Sequence, residues 1–312
     1  MKRFITILLL VVMTALCLSA CNSRKYDDAF ELINNGDYDA AFEIFSELGD
    51  YKNAREELEN FYYVPTKIVV IAENSEKDEI GDMTVSYNEN NLPSRVIVSN
   101  NTQNAIIYYS CDEKGNIVKI VQTSPAGDKS TYEYIYDSNN NCIKTVFTDS
   151  EGNKSITDSI FDENGRVVRR ASTHPNTGDD TIYYNDYIYD EIGNLIKQVS
   201  SNSKGNSNDS YTDYTYDAKG NLIKKVWNVT DDVKEIEEYT YDENGNLLKQ
   251  EKTYISGSKS VYEYKYDEKG NLIEKNVTDS NGEKQILELT YKLVYTKIDF
   301  SFESFLESIL IF

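Results

Sequence analysis

Tyr239-Thr240-Tyr241-Asp242-Glu243-Asn244-Gly245-Asn246-Leu247-Leu248-Lys249 is the stretch whose reading decides the fold. Tyr-x-Tyr alternates, so both rings project from one face of a strand. Asp242 then opens a tight turn, because its carboxylate can accept hydrogen bonds from backbone N–H groups just ahead. Gly245 supplies the positive φ that a short hairpin loop requires. Leu247-Leu248 begins the next strand. The segment predicts a β-hairpin.

The same pattern recurs along the chain. The marker pairs are Tyr87-Asn88, Cys111-Asp112, Tyr136-Asp137, Phe161-Asp162, Tyr189-Asp190, Tyr216-Asp217, Tyr241-Asp242 and Tyr266-Asp267, with a further aromatic at Tyr291-Lys292. Their second members are spaced 24 to 28 residues apart, and a fixed period of this size marks a repeat architecture. Asp112, Asp137, Asp162, Asp190, Asp217, Asp242 and Asp267 are the expected turn markers, with Gly115, Gly165, Gly193, Gly220, Gly245 and Gly270 at the positive-φ position. The first unit has Asn88 in place of Asp and no Gly, which suits a capping position with a different turn. A second turn closes each unit, as at Ser150-Glu151-Gly152-Asn153, Ser256-Gly257-Ser258 and Asp279-Ser280-Asn281-Gly282. The fold class is therefore mainly β: an antiparallel hairpin array of some sixteen strands.

Strands lie about 4.8 Å apart, so eight two-strand units would extend on the order of 75 Å. Open twisted sheets rarely exceed about ten strands without curling. A flat sheet is excluded, and a coiled or wrapped meander is expected.

Over roughly residues 80–292 the chain resembles the YD repeats of Rhs-type and wall-associated bacterial surface proteins, with slightly longer spacing. The resemblance implies a sheet wrapped into a shell. It also raises the reading of a carrier shell for a toxin or other effector.

Composition narrows the function. The chain has 312 residues, a net charge of −21, 39% hydrophobic residues, 26 Tyr, 1 Trp and 1 His. With 32 Lys+Arg against 53 Asp+Glu, no nucleic-acid partner is expected. One apolar run excludes a polytopic helical membrane protein. Patterned aromatics exclude disorder.

Residues 1–20 read as a signal peptide, with Lys2 and Arg3 ahead of the apolar Phe4–Leu18. Leu18-Ser19-Ala20-Cys21 resembles the lipobox of bacterial lipoproteins. The resemblance implies that Cys21 is acylated and becomes the first mature residue, placing the protein outside the cytoplasm on the cell membrane. Two acyl chains anchor stably, at about 0.8 kcal/mol per buried CH₂. Residues 21–25 are then a lipidated polar tether.

Residues 26–61 carry apolar residues at helical spacing (Phe30, Ile33; Ala41, Phe42, Phe45, Leu48; Ala54, Leu58, Phe61), with turns at 34–37 and at Gly49-Asp50. Gly36-Asp37-Tyr38-Asp39-Ala40-Ala41 with Phe45 and Leu48 resembles part of a tetratricopeptide repeat. One unit is a spacer or cap, since a stable solenoid needs at least about three. Residues 62–300 form the β-repeat domain. Residues 301–312 form an apolar tail, too short to span a membrane, that would cap the last strand edge.

No enzyme chemistry is expected. Asp242-Glu243-Asn244-Gly245-Asn246 lacks the ligand spacing of an EF-hand. Candidate catalytic side chains such as Asp162 with Asn164, or Asp213 with Asp217, belong to a repeated unit, whereas an active site usually occurs once. His174 falls in a long turn with no accompanying catalytic or metal motif. No cofactor or metal is expected. Cys111 and Cys142 stand where other units place Tyr or Leu, either as small core residues or as a disulfide pair. The tyrosines form columns, and aromatic-Asp-Gly hairpins resemble choline- and glucan-binding wall modules. Those modules also use Trp, and the one Trp here, Trp227, lies outside the marker. The expected role is a surface scaffold or binding module. Its partners would be the membrane through the lipid, and a wall glycan or another surface protein.

Overall fold

The computed structural model describes residues 22–72, 79–100, 104–175, 178–205, 210–230, 233–298 and 305. The chain divides into two units. One contains Thr66–Tyr87 and Pro93–Thr290. The other contains the chain up to Pro65, Asn88–Leu92 and the chain from Tyr291.

The larger unit is all strand, although residues 61–65 of its first strand and 291–295 of its last belong to the smaller unit. Its elements are β1 (Phe61–Ala72), β2 (Glu79–Tyr87), β3 (Pro93–Asn100), β4 (Asn104–Cys111), β5 (Ile117–Thr123) and β6 (Lys129–Tyr136). They continue with β7 (Cys142–Thr148), β8 (Lys154–Phe161), β9 (Val167–His174), β10 (Asp179–Tyr189), β11 (Leu195–Asn202) and β12 (Ser210–Tyr216). The last are β13 (Leu222–Thr230), β14 (Val233–Tyr241), β15 (Leu247–Thr253), β16 (Lys259–Tyr266), β17 (Leu272–Thr278) and β18 (Lys284–Tyr295). Each pairs antiparallel with the next, and β18 returns to pair with β1, closing one 18-stranded barrel. Thr66 Oγ1 donates to the Thr290 carbonyl at 3.1 Å across that closure. Among the described residues, closure leaves no sheet edge unpaired. The sixteen strands of the sequence pattern become eighteen because β1 precedes the first marker and β18 follows the last Asp-marked turn.

Every marker turn has one geometry. In the hairpin joining β14 to β15, Asp242 N donates to Asn246 O at 2.9 Å and Gly245 N donates to Asp242 O at 3.3 Å. Asp242 Oδ1 accepts from Asn244 N at 2.9 Å and Asn246 N at 2.8 Å, and Asn246 Nδ2 donates to Oδ2 at 2.8 Å. Gly245 has φ +91°, a conformation that a Cβ penalises. These bonds, led by that from the Asn246 side chain, hold the Asp242 carboxyl below the usual carboxylate range. The first unit departs from the expected difference. Asn88 Oδ1 accepts from Asn90 N and Leu92 N, and Asn91 takes φ +59° at the position held by Gly in six units and by Asn140, at φ +70°, in the Asp137 unit. An amide oxygen replaces the carboxylate without changing the turn.

A register shift precedes each marker aromatic, for example between Thr240 and Tyr241. The extra residue on the following strand, such as Leu248 or Ile273, stays 40% and 39% exposed. The marker hydroxyls reach back one repeat. Tyr136, Tyr189, Tyr216, Tyr241 and Tyr266 donate to the carbonyls of Ile117, Val167, Leu195, Leu222 and Leu247 at 2.8–3.0 Å.

Buried apolar side chains of this unit gather on β18 and β1–β4: Ile68, Met83, Val85, Val96, Ile107, Tyr109, Leu287 and Leu289. From β5 to β17 none of the described apolar side chains is fully buried.

The smaller unit holds α1 (22–35), α2 (Tyr38–Leu48) and α3 (Ala54–Leu58). Residues 22–25, expected as tether, are the first turn of α1. Asp37 caps α2 by accepting from Ala40 N. Ala29, Phe45, Leu48 and Ala54 form the core, with Tyr26, Phe30 and Phe61 packed around it. Glu57 is only 8% exposed. It accepts from the Tyr295 hydroxyl and pairs with Lys297 at 3.1 Å, which satisfies a buried charge that would otherwise be costly. The apolar tail lies outside the described residues apart from Phe305, which is 2% exposed.

Candidate functional site

Residues paired across strands share a face, so register sorts every side chain of the barrel. One face is charged. Lys119 pairs with Glu133 at 3.1 Å, Lys144 with Asp158 at 3.0 Å, Arg169 with Asp186, Lys197 with Asp213 at 3.7 Å and Lys224 with Glu238 at 3.0 Å. Each joins the second strand of one hairpin to the first strand of the next. Such exposed pairs are screened by solvent and contribute little apiece, but they favour one register. Asp213 is thus a partner of Lys197 on the face opposite to the tyrosines.

The other face carries the tyrosines, but not as continuous columns. Register places Thr145 opposite Tyr134, Gln198 opposite Tyr187, Lys225 opposite Tyr214, Gln250 opposite Tyr239 and Lys275 opposite Tyr264. The strands that carry these tyrosines are about 9.6 Å apart, twice the strand spacing, and the register steps along the strand, since Thr212 lies across Gln198 from Tyr187 and Glu237 across Lys225 from Tyr214. That separation excludes direct ring stacking, which needs centroids within about 7 Å. From β10 to β17 the expected ladder is instead a face in which rings alternate with amide, hydroxyl and ammonium groups, whereas on β6 and β7 the Tyr132 and Phe147 rings meet at 4.7 Å.

This row is richest on β13–β17. Glu237 is the hub. It accepts from the Tyr239 hydroxyl at 2.6 Å and Gln250 Nε2 at 3.2 Å, with Lys225 Nζ at 3.6 Å and Lys252 Nζ at 3.8 Å. Lys252 also meets Glu235 at 3.3 Å. Tyr264 donates to Gln250 Oε1 at 3.2 Å, extending the chain to β16. Burial, then the bond to Glu237, pushes the Tyr239 hydroxyl far above its ordinary range. It is a neutral donor at any physiological pH. Trp227 lies opposite Thr212 and Glu235 on the same face and is 38% exposed. Half-buried rings with oriented donors and acceptors between them can stack on a ligand's apolar faces and hydrogen-bond its hydroxyls.

The remaining sequence candidates fall elsewhere. Cys21 lies outside the described residues. Asp112, Asp137, Asp162, Asp190, Asp217, Asp242 and Asp267 all sit in hairpin turns, and each carboxylate accepts from backbone N–H groups. Gly115, Gly165, Gly193, Gly220, Gly245 and Gly270 all have positive φ. Cys111 and Cys142 are free thiols on β4 and β7. Three strand spacings, about 14 Å, separate those strands, beyond the reach of a disulfide. Burial and then the neighbouring Asp112 push the Cys111 thiol up to about 11, which makes it unreactive. His174, expected in a solvated loop, ends β9 and meets the Tyr183 ring edge-on at 5.6 Å. Among the described residues no group of three or more His, Cys, Asp or Glu is placed to hold a metal ion.

Sequence reasoning missed the Glu235–Glu237–Lys225–Lys252 cluster. The signal was available at one remove: Ile236-Glu237-Glu238-Tyr239-Thr240-Tyr241 puts Glu237 where the next unit has Tyr262.

No known protein family matches the sequence, and no curated protein does. The fold is similar to that of a porin-like protein from Bacteroides uniformis, at 13% identity and a TM-score of 0.41, covering 73% of this chain and 98% of that one. It is also similar to part of the TcdB2-TccC3-Cdc42 structure, at 12% identity and a TM-score of 0.34, over 70% of this chain and 16% of that one. The chain thus spans about one sixth of the length of the latter. Neither likeness carries a functional reading.

Proposed function

We propose that this protein is a non-catalytic, extracytoplasmic binding module, held at the cell membrane by lipid on Cys21, whose tyrosine face takes a cell-wall glycan. The observation that supports the ligand class is the alternation of half-buried tyrosines with Gln, Thr and Lys. Rings on strands about 9.6 Å apart, with donors and acceptors between them, suit a chain of sugar rings that presents alternating apolar faces and hydroxyls. A buried aliphatic face would match a lipid or an apolar peptide instead. Both carboxylates of the cluster are engaged by lysines, which suits recognition better than proton transfer.

A barrel inserted in the bilayer is disfavoured by its own surfaces. A lipid-facing band must be apolar, and a central Lys or Arg there costs about 2–4 kcal/mol. Here both faces carry mid-strand ion pairs: Lys119–Glu133 and its successors on one, Lys225–Glu237 and Lys252–Glu235 on the other.

The test is retention of the purified chain on insoluble wall polysaccharide. Wild type is expected to be retained and Tyr239→Ala/Tyr264→Ala released at lower ligand density. Equal retention of both, with melting midpoints matched, contradicts the reading.

A further inference from the structure

We infer that Lys275, with the rings of Tyr262 and Tyr264 and the Tyr239–Glu237–Gln250 chain beside it, forms a subsite for a carboxylate-bearing sugar, so that the glycan taken by this face is acidic. This rests on the glycan reading above and deepens it.

The chain as a whole carries −21, which argues for repulsion of acidic polymers. The tyrosine face does not share that charge. From β11 to β17 its described charged side chains are Lys225, Lys252 and Lys275 against Glu235 and Glu237. The acidic surplus lies in the turns and on the opposite face.

The two glutamates are already matched. Lys225 neutralises Glu237, and Lys252 lies within ion-pair distance of both Glu235 and Glu237. Lys275 is left over. Its Nζ lies 5.3 Å from the Tyr262 ring centroid and 5.9 Å from that of Tyr264. Leu287 stands opposite it on β18. Among the described residues no carboxylate lies within ion-pair distance of it, and burial alone lowers its pKa. A half-buried ammonium held by π faces retains only part of what it loses in hydration. An arriving carboxylate would complete it with a charge-assisted hydrogen bond.

The neighbours fit the rest of a sugar. The Tyr264 hydroxyl is turned to Gln250 Oε1, and Gln250 Nε2 is turned to Glu237. These bonds fix the tyrosine ring and amide without rotamer loss on binding. The ring faces of Tyr262 and Tyr264 provide the stacking surface, and Lys275 beside them meets the C6 carboxylate of a hexuronate. A neutral hexose would leave the ammonium unsatisfied.

The experiment is calorimetric titration of the full chain with an oligogalacturonate and, separately, with a neutral β-glucan oligosaccharide. Wild type is expected to bind the uronate at least about tenfold more tightly, with affinity falling as salt rises. Lys275→Met should abolish that preference while Lys275→Arg keeps it, and circular dichroism should show both variants folded. Equal affinity for the two oligosaccharides, or an unchanged preference in Lys275→Met, overturns the acidic-sugar assignment but leaves the glycan reading standing if Tyr264→Ala weakens both ligands. Binding of neither oligosaccharide overturns both.

Discussion

The Tyr241 hydroxyl donates to the Leu222 carbonyl at 2.8 Å. That bond joins the marker of one hairpin to the start of the second strand in the hairpin before it. It explains why the marker is so often Tyr, since Phe would fill the same volume without the donor. Where the marker is Cys111 or Phe161, no hydroxyl is available. Tyr241→Phe should lower stability by about 0.5–1.5 kcal/mol, read as a shift in the urea midpoint at unchanged slope. An unchanged midpoint would mean that the hydroxyl adds nothing beyond its ring.

The tyrosines also set an alkaline limit. Burial pushes Tyr136 and Tyr295 up to about 12, and raises Tyr134, Tyr189, Tyr214, Tyr216, Tyr241, Tyr262 and Tyr266. A phenol with a raised folded pKa keeps its proton after the unfolded chain, at about 10, has lost its own. Stability is therefore full below about pH 10 and falls as pH climbs toward 12. Tyrosinate absorbance should appear together with the loss of circular dichroism. A gradual absorbance rise well before unfolding would contradict this burial.

The turn carboxylates set the acid limit. Bonds led by the Asn141 backbone N–H depress Asp137, and bonds led by the Asn221 side chain depress Asp217. A depressed folded pKa adds stability above the unfolded value, near 3.9, and that stability is lost as pH falls through the folded value. Thermal midpoints should hold from neutrality to about pH 5 and decline below about pH 4. Asp217→Asn keeps the acceptor, as Asn88 does, and should shrink its share of that decline.

Gly245 gives a cleaner test of the turn. A Cβ there would meet only Asn221 Oδ1 at 3.9 Å, an ordinary contact, while φ stays at +91°. Gly245→Ala should therefore cost about 1–2 kcal/mol through backbone strain rather than collision. Proteolysis or hydrogen exchange should locate the loss in the β14–β15 hairpin.

What the sequence carried plainly was local. Tyr-x-Tyr, Asp242 and Gly245 report a turn that needs only its own five residues, so hairpin, period and antiparallel pairing were readable from one unit. Closure was not. It depends on β1, which carries no marker, and on β18, where Tyr291-Lys292 continues as strand instead of turning. Nor was the composition of the tyrosine face legible. Which residue lies opposite Tyr264 depends on the bulge at Lys265/Tyr266, and that one-residue shift decides that Lys275 rather than Glu274 shares its face. The ion pairs on the other face had a signal, since Lys224 and Lys249 hold the same place in consecutive units, as do Glu238 and Glu263.

The chain's one tryptophan, Trp227, offers the most direct measurement of the central claim, that a glycan occupies the tyrosine face. It lies on that face opposite Glu235 and is 38% exposed. Titration with soluble wall-polysaccharide fragments should change its fluorescence saturably. The change should weaken in Tyr239→Ala/Tyr264→Ala and persist in Lys119→Ala/Glu133→Ala on the opposite face. Binding detected calorimetrically with Trp227 emission unmoved, or lost equally in both pairs of variants, would contradict the claim.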